Sequence, residues 1–147
     1  MAETLDIGSS TRVFEVDCGR GDFLAPFHDN GYIVGGTDRD VGAITDAMAS
    51  MPEGLFQVAT AEALDPAVPW HVVICRTFSA NPDPDYMRGV LARMFAKATH
   101  AIAVLDVPEE RRQWMLHALA EIGASAIQFE AARSEPAREG FHAFARV

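Results

Sequence analysis

The chain has 147 residues, of which 49% are hydrophobic and 22% charged, a length and composition that fit one globular domain burying roughly 70% of its unfolded-chain surface. Its net charge of −9 repels phosphate backbones unless basic residues gather on one face, so nucleic acid is not the expected partner. No apolar run approaches the ~20 residues that span a bilayer, and residues 1–6 lack the basic and apolar regions of a secretory signal, so no membrane is expected and the cytoplasm is the expected location.

In chain order, apolar residues predict a first strand over 12–18 and, after two glycines, a helix over 21–30 closed by Asn30 and Gly31. A second strand over 32–38 leads into a helix from Asp40 to Met48, with Asp40 as its N-cap, broken by Pro52 and Gly54. Short third and fourth strands follow over 55–59 and 71–75. A proline-rich loop feeds a helix over 83–98 with Tyr86, Val90, Leu91, Met94 and Phe95 on its apolar side and Asp83 near its N-cap. The fifth strand is expected over 101–105, and Pro108, Glu109 and Glu110 open a helix that stops at Gly123. In that helix Arg111 and Arg112 read as a solvated face and His117 as a structural residue. Segments 126–130 and 140–147 read as strands with no helix between them, which makes them an antiparallel pair. The expected fold is α/β, a Rossmann-like doubly wound sheet of about seven strands, mostly parallel with a C-terminal antiparallel β-hairpin, in one domain over 1–147.

The chemistry concentrates at the first turn. Gly19 and Gly21 let backbone approach a ligand where a Cβ would clash, and the helix that follows offers unpaired N–H groups. Asp38, 17 residues after Gly21 at the end of the second strand, is placed to accept from both hydroxyls of a ribose. Two cysteines, Cys18 and Cys75, make no disulfide framework and read as small buried thiols; the five histidines show no metal spacing, and no metal is expected.

The layout resembles a class I S-adenosylmethionine-dependent methyltransferase over nearly the whole chain. Glu15, Cys18, Gly19 and Gly21 match the family's Glu-x-Gly-x-Gly-x-Gly loop, with Asp17 where its first glycine stands. Asp38 matches the ribose acid, and Ala61, Glu62, Ala63 and Leu64 match the tail of the segment that flanks adenine, with Thr60 in the place of its aspartate. The resemblance implies S-adenosylmethionine as cofactor, held by Glu15, Asp17, Cys18, Gly19, Gly21, Asp38, Arg39, Thr60, Ala61 and Arg76. It puts the acceptor above strands four and five, against Arg76, Thr77, Phe78, Ser79, Asn81 and Asp106. No catalytic residue is evident; His28 and His100 are the candidates for a base. Asn81 to Tyr86 invites comparison with the Asn-Pro-Pro-Tyr element of amino-group methyltransferases, but its split prolines read as a loop and helix start.

The implied activity is methyl transfer to a small metabolite or a protein acceptor by a small core without a lid, which a second copy in a homodimer could cover. Two alternatives stay open. One is a degenerate fold of this kind that binds a partner or metabolite without chemistry, which Asp17 and Thr60 favour. The other is a nicotinamide-dependent oxidoreductase, against which Leu24 stands where a third glycine is expected.

Overall fold

The computed structural model describes residues 10–76, 83–132 and 140–147. Its elements are β1 (Arg12–Val16), α1 (Ala25–Asp29), β2 (Ile33–Asp38), α2 (Val41–Ser50), β3 (Leu55–Val58), a 3-10 turn (Ala61–Ala63), β4 (Trp70–Cys75), α3 (Pro84–Lys97), β5 (Ala98–Pro108), a second 3-10 turn (Glu109–Arg111), α4 (Arg112–Glu121), β6 (Ala126–Ala131) and β7 (Gly140–Arg146). The strands form one sheet in the order β3-β2-β1-β4-β5-β7-β6. Its first five strands pair in parallel, and β7 lies antiparallel between β5 and β6. This is the doubly wound sheet with a C-terminal antiparallel pair that the strand pattern predicts. Among the described residues no helix is long and apolar enough to cross a membrane.

A parallel sheet is covered on both faces, and the central strands are apolar on both. One core joins Phe14, Val16, Trp70, Val73 and Ile102 to Met87, Leu91 and Met94 of α3 and Met115 and Leu119 of α4. The other joins Val13, Val34, Val72 and Ile74 to Leu24, Ile44 and Met51. Glycines in β2 let neighbours close in: a Cβ on Gly35 would fall 2.5 Å from the Trp70 ring, and one on Gly36 would fall 2.8 Å from Cys18 Sγ. Asp40 caps α2 by accepting from the Ala43 N–H at 2.9 Å, and Asp83 caps α3 by accepting from the Asp85 N–H at 3.0 Å, both as predicted.

Several expectations are corrected. The helix over 21–30 shrinks to Ala25–Asp29, because residues 21–24 are spent on turns in which Leu24 and Ala25 both donate to the Gly21 carbonyl. Strand five runs over Ala98–Pro108, since β4 pairs with it from Ala98 and β7 pairs as far as Pro108. Pro108 precedes a 3-10 turn, and the α-helix starts only at Arg112. Arg112 keeps a solvent-exposed side chain, as expected, but it also pairs with Glu109 and lies over the rings of Phe129 and Phe141, at 5.2 and 4.6 Å from their centroids. His117 is exposed, because α4 buries Met115, Ala118 and Leu119 instead.

Lys97 is buried at the end of α3, donating to the carbonyls of Asp65 (2.5 Å) and Val68 (3.0 Å) with its ammonium 4.8 Å from the centre of the Phe14 ring. It clamps the segment that leads into β4. Burial lowers its pKa.

Candidate functional site

Register gathers the polar residues at one edge of the sheet. Val16 lies beside Thr37 and Cys75, Cys75 beside Val104, and Val104 beside Ala143. One residue beyond this buried row come Asp38, Asp17 and Arg76, and, on the antiparallel β7, His142. The edge is the carboxyl end of the parallel strands, where ligands bind in open α/β sheets.

The glycine turn is tied to β2 at two points. Cys18 donates its N–H to the Thr37 carbonyl at 2.9 Å, and Gly19 donates to Asp38 Oδ2 at 2.8 Å. Asp38 Oδ1 accepts from the Asp40 N–H at 2.9 Å. Each carboxylate oxygen has a second lone pair, so the side chain is fixed in place and can still accept from two hydroxyls.

The two glycines have different duties. Gly19 has φ +55 and no heavy atom within 4 Å of where a Cβ would stand, whereas at Gly21, φ +80, a Cβ would collide with Met51 Cε. Gly19 therefore faces open space and Gly21 faces the core. Asp17 has φ 55, the left-handed conformation that the family's first glycine would adopt freely and that aspartate tolerates better than most residues.

Beneath the turn, Glu15 is fully buried and its Oε1 accepts from Arg76 Nε at 2.6 Å. The Arg76 guanidinium lies 4.6 Å from the centre of the Phe23 ring. Glu15 Oε2 is buried without a hydrogen-bond partner among the described residues. Burial pushes the Glu15 carboxyl up to about 7, the Arg76 pair pulls it down, and the Asp17 and Asp38 carboxylates push it up. Cys18 is buried, with its thiol raised to about 12 by burial and by the carboxylates of Glu15 and Asp38. It stays protonated at neutral pH, which removes it as a nucleophile.

Of the other predicted residues, Arg39, Thr60 and Ala61 follow β2 and β3 at the same edge. Arg39 is exposed beside Asp38. Thr60 is exposed and heads the 3-10 turn in which Ala61 is buried, and the Ala59 N–H donates to the Asp38 carbonyl, closing β3 onto the end of β2. Thr77, Phe78, Ser79 and Asn81 lie outside the described residues, as does Pro82 of the segment compared with the Asn-Pro-Pro-Tyr element, whose remainder is the cap Asp83 and the first residues of α3. Among the described residues no three His, Cys, Asp or Glu side chains gather to hold a metal.

The two histidines named as bases stand at the wrong edge. His28 ends α1, which returns the chain to the amino end of β2, and the His100 carbonyl accepts from Val147 N–H near the start of β5. In their place the structure brings His142 to the carboxyl edge. Asp106 has φ 56 in an irregular stretch of β5 between Val104 and Val107. Its N–H donates to His142 Nδ1 at 3.1 Å, and its carboxylate lies 3.9 Å from the same nitrogen. The return of β7 alongside β5 makes this pair, and only the expectation of a C-terminal antiparallel pair hinted at it.

No family model and no curated protein matches the sequence. Solved structures match its fold. The N-methyltransferase NodS from Bradyrhizobium japonicum WM9, in complex with S-adenosyl-L-homocysteine, superimposes with a TM-score of 0.80 at 14% identity, covering 99% of this chain and 82% of that one. Magnesium protoporphyrin IX methyltransferase (ChlM) from Synechocystis PCC 6803, with bound S-adenosylmethionine, gives 0.79 at 15% identity, covering 94% and 71%. CalS10, an amino pentose methyltransferase from Micromonospora echinaspora, also with bound S-adenosylmethionine, gives 0.77 at 13% identity, covering 99% and 89%. With its seven strands in this order and its glycine turn tied to the acid of β2, the chain has the fold of the class I S-adenosylmethionine-dependent methyltransferases.

Proposed function

We propose that this chain binds S-adenosylmethionine at the carboxyl edge of β1 and β2 and transfers its methyl group to a small metabolite or a protein side chain. The observation that carries the reading is the 2.8 Å bond from Gly19 N–H to Asp38, which makes one surface of the glycine turn and the ribose-type acid. The residues present fit the cofactor. Gly19 leaves its outer side open, Asp38 keeps an acceptor site on each oxygen, and the buried, unpartnered Oε2 of Glu15 suits an ammonium donor. Thr60 offers a hydroxyl beside the 3-10 turn, where an adenine amino group would find an acceptor. Neighbours of the same fold that hold S-adenosylmethionine or S-adenosylhomocysteine support this choice.

The bound cofactor supplies a methyl group on a sulfonium, which brings its own leaving group. The chain therefore has to orient the acceptor and exclude water more than it has to move protons. Asp38 and the Gly19 turn fix one end of the site, and Arg76, pinned on Glu15, forms the wall between that end and the acceptor. Asp106 and His142 close the far side of the acceptor region. With its Nδ1 accepting from the Asp106 N–H, a neutral His142 carries its proton on Nε2, so it offers a donor to hold an acceptor rather than a base to deprotonate it. We place the protein in the cytoplasm.

A second reading, a binding module of the same fold without transfer, is favoured by Asp17, which puts a carboxylate where a glycine would leave room for the methionine portion. Incubation with methyl-labelled S-adenosylmethionine and a fractionated cell extract separates the two. Label in a metabolite or protein fraction supports transfer; a protein that binds the cofactor and leaves every fraction unlabelled is the module.

A further inference from the structure

Between Val104, which pairs with Ala143, and Val107, which pairs with Phe141, β5 has two residues where β7 has only His142. Leu105 and Asp106 therefore form a β-bulge, in which Asp106 takes its left-handed φ of 56. The described pairing of β4 with β5 ends at Cys75 and Val104, level with the start of the bulge. Leu105 is anchored in the core, whereas Asp106 is exposed and tied to β7 by the 3.1 Å bond from its N–H to His142 Nδ1. That bond offsets the cost of a backbone conformation that a residue with a Cβ seldom adopts.

The bond requires one state of the ring. An imidazole nitrogen accepts only when it carries no proton, and in the cationic ring both nitrogens donate. A proton on Nδ1 therefore sets two donors against each other and breaks the tie. The Asp106 carboxylate is then the acceptor at hand: its Oδ1 lies 3.9 Å from Nδ1, beyond hydrogen-bond reach until the bulge turns. Glu130 stands opposite His142 in the β6–β7 register, and the next side chain on the same face of β7 is Phe144, with its ring centre 6.5 Å away. At the end of β4, Arg76 is turned onto Glu15. Among the described residues, the charged groups that register brings to the ring are thus the carboxylates of Asp106 and Glu130, which attract its cationic form.

We infer that His142 and the Asp106 bulge form a proton-operated switch at the carboxyl edge. With a neutral ring the bulge is held left-handed against β7; with a protonated ring the Asp106 amide is released and the carboxylate moves onto Nδ1. Asp106 stands in the wall proposed above for the acceptor, so that wall changes shape and charge with the proton. This consequence rests on the reading of the edge as a methyl-transfer site, whereas the switch itself does not.

Nuclear magnetic resonance of the nitrogen-15-labelled wild-type chain, followed from about pH 8 to pH 5, the range in which histidines ordinarily change charge, tests the switch without any ligand. At the alkaline end the His142 ring carries its proton on Nε2. As the ring protonates, the Asp106 amide resonance moves along the same curve, the Leu105 and Val107 amides move with it, and exchange of the Asp106 amide proton quickens about fivefold beyond its intrinsic pH dependence, the scale of one lost hydrogen bond. In His142→Asn the side-chain carbonyl keeps an acceptor near the place of Nδ1 and does not titrate, so the Asp106 amide stays bonded throughout. A ring protonated on Nδ1 at the alkaline end, a wild-type Asp106 amide that stays still while His142 titrates, or one that moves as much in His142→Asn as in wild type overturns the switch. The wild-type readout stands even where the variant fails to fold, and none of these results bears on whether the edge binds S-adenosylmethionine, which the titration with S-adenosylhomocysteine decides separately.

Discussion

Gly19 and Asp38, 19 residues apart, are joined by a 2.8 Å hydrogen bond from the glycine N–H to the carboxylate. The same carboxylate holds the Asp40 N–H at the start of α2. Asp38 is therefore both a ligand-facing acid and a structural tie between the two loops that frame the site. Asp38→Ala is expected to weaken S-adenosylhomocysteine by about 1.5–3 kcal/mol and also to destabilise the fold by about 1–3 kcal/mol, because two backbone N–H groups lose a charged acceptor. Calorimetry and urea unfolding measure the two losses; from the sequence alone Asp38 is only a ligand residue, and the fold would be untouched.

Substitution at the two glycines of the turn separates binding from stability. Gly19→Ala points a methyl into open space and costs the fold only the left-handed strain of about 1–2 kcal/mol, but the methyl stands where the cofactor would lie, and binding is lost. Gly21→Ala adds a collision with Met51 Cε to the same strain, so it lowers the melting temperature more than Gly19→Ala does. Equal destabilisation with equal retention of binding would contradict this division of labour.

Glu15 gives the stability a pH dependence of defined sign. Its carboxyl is raised from an ordinary 4.5 to about 7 in the folded state. Between those values the folded chain keeps a proton that the unfolded chain releases, so this contribution to stability falls as pH rises through the window and is level above it. The loss is about 3 kcal/mol across the window. Glu15→Gln keeps an acceptor for Arg76 Nε and does not titrate. Melting curves recorded from about pH 4.5 to pH 8 should converge on wild type at the acid end and show the variant more stable at the alkaline end; parallel curves would mean that Glu15 does not titrate there.

Lys97 tests how far one buried cation holds the lower edge of the sheet. Lys97→Met keeps most of the apolar stem but removes the charged donor from the carbonyls of Asp65 and Val68, a cost of about 1.5–3 kcal/mol for hydrogen bonds to a charged group. Urea unfolding at neutral pH reads the loss, and an unchanged midpoint would show that water replaces the ammonium.

What was legible in the sequence is what is local. Short apolar runs mark the seven strands, and Asp40 and Asp83 announce their helices because a cap bonds to an N–H two or three residues on. The glycine turn and Asp38 were also visible, since each is a short pattern at a strand end. The Glu15–Arg76 pair spans 61 residues and the Asp106–His142 bond 36; both arise from strands that meet only in the sheet, so no spacing reveals them. The burial of Lys97 has no sequence signal, because a lysine at a helix end ordinarily reaches solvent, and here the approach to β4 closes over it. The first helix is shorter than its sequence pattern predicts because Gly21 and the residues after it form turns.

The central claim is that the Gly19–Asp38 surface binds S-adenosylmethionine, and parallel calorimetric titrations of the wild-type chain with S-adenosylhomocysteine and NADH test it most directly. The expected result is saturable binding of S-adenosylhomocysteine, with a melting point raised in line with roughly 1.4 kcal/mol of stabilisation at tenfold excess over the dissociation constant, and no heat from NADH. Binding of NADH together with no response to S-adenosylhomocysteine at millimolar concentration would contradict it.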